Sequence, residues 1–117
     1  MTIYGYARVS TDSQELDGQL DRLTAAGATK VFSEKQSGAK TENRPELAKV
    51  IKKLQQDDIL IVTALDRLGR SLRDILNVLE AITKERKANF KILDEPWLDT
   101  QQSMVSFWSI SLVALRN

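Results

Sequence analysis

The 117-residue chain predicts an α/β fold, a mainly parallel sheet of four to five strands flanked by helices. Three observations carry that expectation. Short β-type runs alternate with helical periodicity in the order β-α-β-α-β-α-β, which calls for crossover connections and therefore parallel strands. The run Ile59-Leu-Ile-Val62 is apolar without interruption, as suits a central strand covered on both faces. The length fits one domain around a modest core.

Each element has its own signal. Ile3 to Val9 is a compact β-type run. Asp12 or Ser13 can cap a helix in which Leu16, Leu20 and Leu23 recur at helical spacing. Gly27 stands where a helix-terminating glycine belongs. Lys30 to Ser33 reads as a second strand, and polar Glu34 to Arg44 as a loop. Pro45 suits the first position of a helix, and Leu47, Val50, Ile51 and Leu54 give that helix an apolar face. Asp57-Asp58 turns the chain into the third strand. Asp66 to Arg70 is a charged turn, and Ser71 with Asp74 has the spacing of a capping box. Leu72, Ile75, Leu76, Leu79 and Ile82 supply the buried face of the next helix. Phe90 to Leu93 is the fourth strand.

Composition narrows the chemistry. The chain contains no Cys and no His. That excludes disulfides, thiolate nucleophiles, Ser-His-Asp triads and Cys- or His-ligated zinc. Covalent chemistry must use Ser, Thr, Tyr, Lys or a carboxylate. A net charge of +1 means that any basic footprint is local. No apolar run is long enough to span a bilayer, and the N-terminus does not read as a signal peptide. The expected location is the cytoplasm, with no membrane partner.

Polar clusters follow the first three strands. In Tyr6-Ala-Arg-Val-Ser10, side chains two apart share a strand face, so Tyr6, Arg8 and Ser10 project together. A guanidinium beside a hydroxyl suits attack on a phosphate. The plainer alternative is a strand with one solvated side. The second cluster offers Glu34, Lys35, Ser37, Gly38 and Arg44, which standing alone would read as a polar loop. The third is Leu65-Asp-Arg-Leu-Gly-Arg70, where Arg67 and Arg70 lie three apart at a helix entrance and Asp66 can orient an arginine. Its plainer alternative is a turn laced with salt bridges. Sites in open parallel sheets form beyond the carboxyl ends of the strands, so the three clusters can meet at one edge.

In order, the motifs Y-A-R-V-S-T, F-S-E-K-Q-S-G, R-P-E-L and L-D-R-L-G-R resemble the catalytic domain of the serine recombinase family, resolvase/invertase branch. The resemblance covers residues 1–104 and implies a resolvase-like catalytic domain. It implies site-specific recombination of double-stranded DNA through a 5′-phosphoserine link. Ser10 would be the nucleophile. Arg8, Arg67, Arg70 and Arg44 would hold the scissile phosphate, and Asp66 would position them. Tyr6, Gln19, Glu34 and Ser37 match supporting polar positions. No metal or other cofactor is implied, because the covalent link conserves the bond energy. The family works as homo-oligomers, a dimer and then a synaptic tetramer.

Residues 105–117 depart from the pattern and are expected to be a divergent tail. Where the family continues into a long dimer helix and a helix-turn-helix domain, this chain reads Val105-Ser-Phe-Trp-Ser-Ile-Ser-Leu-Val-Ala-Leu-Arg-Asn117. A shifted reading frame from the last base of the Met104 codon permits a glycine and then a family-like helix. A frameshift near Met104 is therefore one origin for the tail, and the nucleotide sequence decides it. The expectation is a recombinase domain defective by itself. The alternative is a non-catalytic relic or interaction module that pairs with intact recombinase. A small phosphoester hydrolase is chemically allowed but has no substrate pocket legible in the sequence.

Overall fold

A computed structural model describes residues 1–9, 13–35, 44–69 and 71–96. Four strands form one wholly parallel sheet in the order β2-β1-β3-β4: β1 Ile3–Val9, β2 Lys30–Lys35, β3 Ile59–Val62 and β4 Asn89–Ile92. The helices between them are α1 Ser13–Ala25, α2 Pro45–Lys53 and α3 Leu72–Glu80. The alternation of strand and helix is thus the one the sequence predicts. Four strands, among the described residues, is the lower of the expected numbers.

Strand alternation sends side chains to two cores. On one face Tyr6, Leu60, Val62, Phe90 and Ile92 pack with Leu47 and Val50 of α2 and Val78 and Leu79 of α3. On the other, Ala7, Ile59 and Ile61 pack with Leu23, and Leu16 and Leu20 lie against them. The unbroken apolar run of β3 is therefore needed by both faces. Gly5 lets α1 approach β1 closely. A Cβ there would lie 3.3 Å from Leu23 Cβ of α1 and 3.2 Å from both Ala28 Cβ and Val31 Cγ2.

Three local readings change. β2 runs on through Lys35, because the parallel register sets Arg8 opposite Glu34 and Val9 opposite Lys35. Glu34 is therefore a strand residue, not the first residue of a loop. Leu72 is 55% exposed instead of core-facing; it occupies the first turn of α3, and Val78 is buried further along. β4 is displaced by one residue, although the Leu93 N–H still donates to the Val62 carbonyl at 2.9 Å. Past α3 the chain widens into a π-helical turn, Ala81–Glu85, where the Arg86 N–H donates to the Ala81 carbonyl.

The turn into β3 is fixed by a buried carboxylate. Asp58 accepts from the Thr2 N–H at 2.8 Å and the Gln55 N–H at 2.9 Å, tying the start of β1 to the end of α2. Gly27 takes φ +109°, the conformation expected of a residue that ends a helix. Among the described residues, no helix is long and apolar enough to cross a membrane.

Candidate functional site

The carboxyl ends of β1 and β3 place Arg8 and Arg67 in one hydrogen-bonded network, and Arg44, at the start of α2, joins the same turn through the Leu68 carbonyl. Arg8 lies at the end of β1. Gln19 of α1 grips its main chain: the Gln19 Nε2–H donates to the Arg8 carbonyl at 3.1 Å, and Gln19 Oε1 accepts from the Arg8 N–H at 3.3 Å. Gln19 is buried, so both contacts are shielded from water.

Arg67 comes from a 3-10 turn, Leu65–Arg67, beyond β3. Its Nη1 donates to the same Arg8 carbonyl at 3.1 Å, and its Nη2 pairs with Glu15 at 2.8 Å. Asp66 engages mainly through its backbone. The Asp66 carbonyl accepts from Arg8 Nη2 at 3.5 Å, while its carboxylate is 76% exposed and 3.7 Å from Arg67 Nε. Two buried donors in this cluster, Arg8 Nη1 and Arg67 Nε, have no hydrogen-bond partner among the described residues.

Arg44 reaches the cluster from the residue before Pro45. Its Nη1 donates to the Leu68 carbonyl, and its Nη2 meets Asp74 at 2.8 and 3.0 Å. Beneath the arginines lies a buried acid. The Tyr6 hydroxyl donates to Glu34 Oε2 at 2.6 Å, and the Leu47 N–H donates to the same oxygen at 3.3 Å. Burial, followed by the hydrogen bond to Glu34 and its charge, pushes the Tyr6 phenol far above its ordinary value. The nearby Arg8 and Arg44 charges pull the other way. Tyr6 is thus a fixed neutral donor at physiological pH.

The arrangement brings Tyr6, Arg8, Gln19, Glu34, Arg44, Asp66 and Arg67 to one sheet edge. Ser10, Ser37 and Arg70, together with residues 105–117, lie outside the described residues. Sequence reasoning did not select Glu15 as a partner of Arg67, nor Asp74 as a partner of Arg44. The Ser71/Asp74 spacing was a usable signal for the second. Ser71 does cap α3, its hydroxyl accepting from the Asp74 N–H at 3.1 Å, while the Asp74 carboxylate engages Arg44. Among the described residues, no group of three or more acidic side chains is placed to hold a metal ion.

Comparison with known proteins agrees with this geometry. The family described as "Resolvase, N terminal domain" matches residues 3–115. A resolvase of Clostridium perfringens is 45% identical over 100 residues, spanning 84% of this chain and 52% of that protein. The serine recombinase gin of Escherichia phage Mu is 40% identical over 106 residues, spanning 91% of this chain and 53% of that protein. The chain thus spans about half the length of these curated relatives. The crystal structure of the N-terminal catalytic domain of TP901-1 integrase superposes with a TM-score of 0.81 at 28% identity, covering 99% of this chain and 94% of that one. With four parallel strands carrying the arginine cluster and a family match along nearly its whole length, the chain belongs to the resolvase N-terminal domain family.

Proposed function

We propose that this chain provides the cleavage chemistry of a site-specific DNA recombinase, with Ser10 as the nucleophile and double-stranded DNA as the substrate. The observation that carries the reading is the arginine cluster, in which Arg8 Nη1 and Arg67 Nε find no hydrogen-bond acceptor among the described residues. A buried cationic donor without an acceptor is costly, and a phosphodiester oxygen is a fitting acceptor.

In this reading the Ser10 hydroxyl attacks a backbone phosphorus. A P–O bond to Ser10 forms as the P–O3′ bond breaks, and the 3′ oxygen leaves as a hydroxyl after taking a proton. The 5′ phosphate is then held as a phosphoserine ester. A 3′ hydroxyl reverses the step on another strand. Bond number is conserved, so neither ATP nor a metal is required. Arg8, Arg44, Arg67 and Arg70 neutralise the charge that builds on the phosphoryl oxygens. Asp66 orients them, and Ser37 supplies a further polar contact. Pairing of subunits into a dimer and a synaptic tetramer, in the cytoplasm where the DNA lies, belongs to the same proposal.

The test uses duplexes that tile the DNA flanking the coding sequence and carry 3′-bridging phosphorothiolates. The sulfur leaves readily and rejoins poorly, so a cleaved strand stays attached. A covalent protein–DNA adduct is expected with the wild type and none with Ser10→Ala. Absence of adduct with the wild type across the whole set overturns the proposal.

A further inference from the structure

We infer that Asp74 is a positioning residue for Arg44, and that Gly69 is the feature of the fold that admits it. Three observations converge on this pair. Arg44 Nη2 meets both carboxylate oxygens of Asp74, at 2.8 and 3.0 Å, and Arg44 Nη1 donates to the Leu68 carbonyl. The Arg44 side chain is only 13% exposed and that of Asp74 35%, so the contact is part-buried. A Cβ on Gly69 would lie 2.6 Å from Asp74 Oδ2 and 2.8 Å from its Cγ, so any larger residue would collide with the carboxylate.

The backbone around the pair is equally well determined. The Ser71 hydroxyl accepts from the Asp74 N–H, which fixes the first turn of α3. The Leu68 N–H donates to the Leu65 carbonyl at 3.0 Å, closing the turn that presents the Leu68 carbonyl. Asp74, Leu68 and Gly69 together form a socket for one guanidinium. Arginine has five N–H donors in a rigid fork, and these partners take at most three of them. The remaining donors are aimed by the socket. The Arg44 charge, like that of Arg8, is close enough to the Tyr6 phenol to act on it, so the socket holds Arg44 near the other arginines. Asp74 thus works through Arg44 and does not itself touch the phosphate.

The inference rests on the function proposed above, in which Arg44 holds the scissile phosphate. Asp74→Asn keeps the shape and the backbone N–H that Ser71 caps, but loses the charge that holds the fork. Adduct formation on phosphorothiolate duplexes is expected to slow on the order of 10- to 100-fold, the scale of a small misplacement near a reacting centre. In an Arg44→Ala background the same change is expected to cost nothing further. Gly69→Ala, whose methyl displaces the carboxylate, is expected to reproduce the slowing without adding to it. It also carries the test if Asp74→Asn does not fold.

A second readout is independent of cleavage. Slowed rotation of the Arg44 guanidinium, seen as resolved Nη–H resonances in nitrogen-15 NMR, is expected in the wild type and lost in Asp74→Asn. Unchanged or faster adduct formation in Asp74→Asn overturns the inference, as do Arg44 rotation that stays slow in Asp74→Asn and losses that multiply in the double variant. If the wild type forms no adduct, the recombinase reading falls. In that case a freely rotating wild-type Arg44 removes the positioning role as well, and slow rotation that Asp74→Asn releases upholds the hold of Asp74 on Arg44 independently of cleavage.

Discussion

The carboxamide of Gln19 meets both main-chain polar groups of Arg8, donating to its carbonyl at 3.1 Å and accepting from its N–H at 3.3 Å. A helix side chain thereby completes the hydrogen bonding of a strand end. It also supports the Arg8 carbonyl that Arg67 needs as an acceptor. Gln19→Leu leaves two buried backbone groups without this partner. A loss of about 1–3 kcal/mol is expected, read as a lower urea midpoint with an unchanged slope. Gln19→Glu should be worse, because the Arg8 carbonyl would then face a carboxylate oxygen.

Tyr6 gives a pH signature. Its phenol is held protonated by burial and by Glu34, so its folded pKa lies above its unfolded one. The folded chain therefore keeps a proton that the unfolded chain has released above about pH 10. Stability contributed by this group is full below that pH and falls as the pH rises beyond it. Tyr6→Phe removes this part of the alkaline loss. Unfolding midpoints at pH 9 and pH 11 should therefore differ less in Tyr6→Phe than in the wild type. At pH 7 the same variant should be less stable by about 1–3 kcal/mol, since Glu34 loses its phenol donor.

The two ends of α3 should respond oppositely to truncation. Leu79 is 1% exposed within the larger core, whereas Leu72 is 55% exposed. Leu79→Ala is expected to cost about 2–5 kcal/mol. Leu72→Ala should stay within about 0.5 kcal/mol of the wild type. Thermal melts of the two variants check the pair directly. Comparable losses would mean that the apolar stripe of α3 continues to its first turn.

Asp58 should behave as a structural carboxylate. Asp58→Ala leaves the Thr2 and Gln55 N–H groups without their acceptor and loosens the join between β1 and α2. A loss of about 1–3 kcal/mol is expected. Hydrogen exchange should quicken at Thr2 and Gln55 while the N–H groups of β4 keep their protection.

Much of this architecture is written in local pattern. β1 and β3 have the ranges their apolar runs suggest, and Pro45 and Ser71 mark the starts of α2 and α3 as their chemistry requires. Glu34 was illegible as a strand residue because its segment is polar and its pairing depends on Arg8 across the sheet. Leu72 was misread because helical periodicity does not reveal where a helix first meets its sheet. The site followed the same division. Arg8, Arg44 and Arg67 could be picked out by residue type and motif. Glu15 could not, because Arg67 lies 52 residues away; Asp74 was legible only as part of a cap, because the fold alone brings it to Arg44, 30 residues away.

The sheet order also sets a sequence of events in time. β1 precedes both of its neighbours in the chain, yet lies between them. As the polypeptide leaves the ribosome, β1 can first pair along one side, when Lys30–Lys35 has emerged. Its other side waits for Ile59–Val62. Arg8 therefore meets its charged surroundings in two stages, Glu34 with the docking of β2 and Asp66 and Arg67 only after β3 arrives. A nascent chain stalled between those stages would hold the buried acid without the completed cationic cradle.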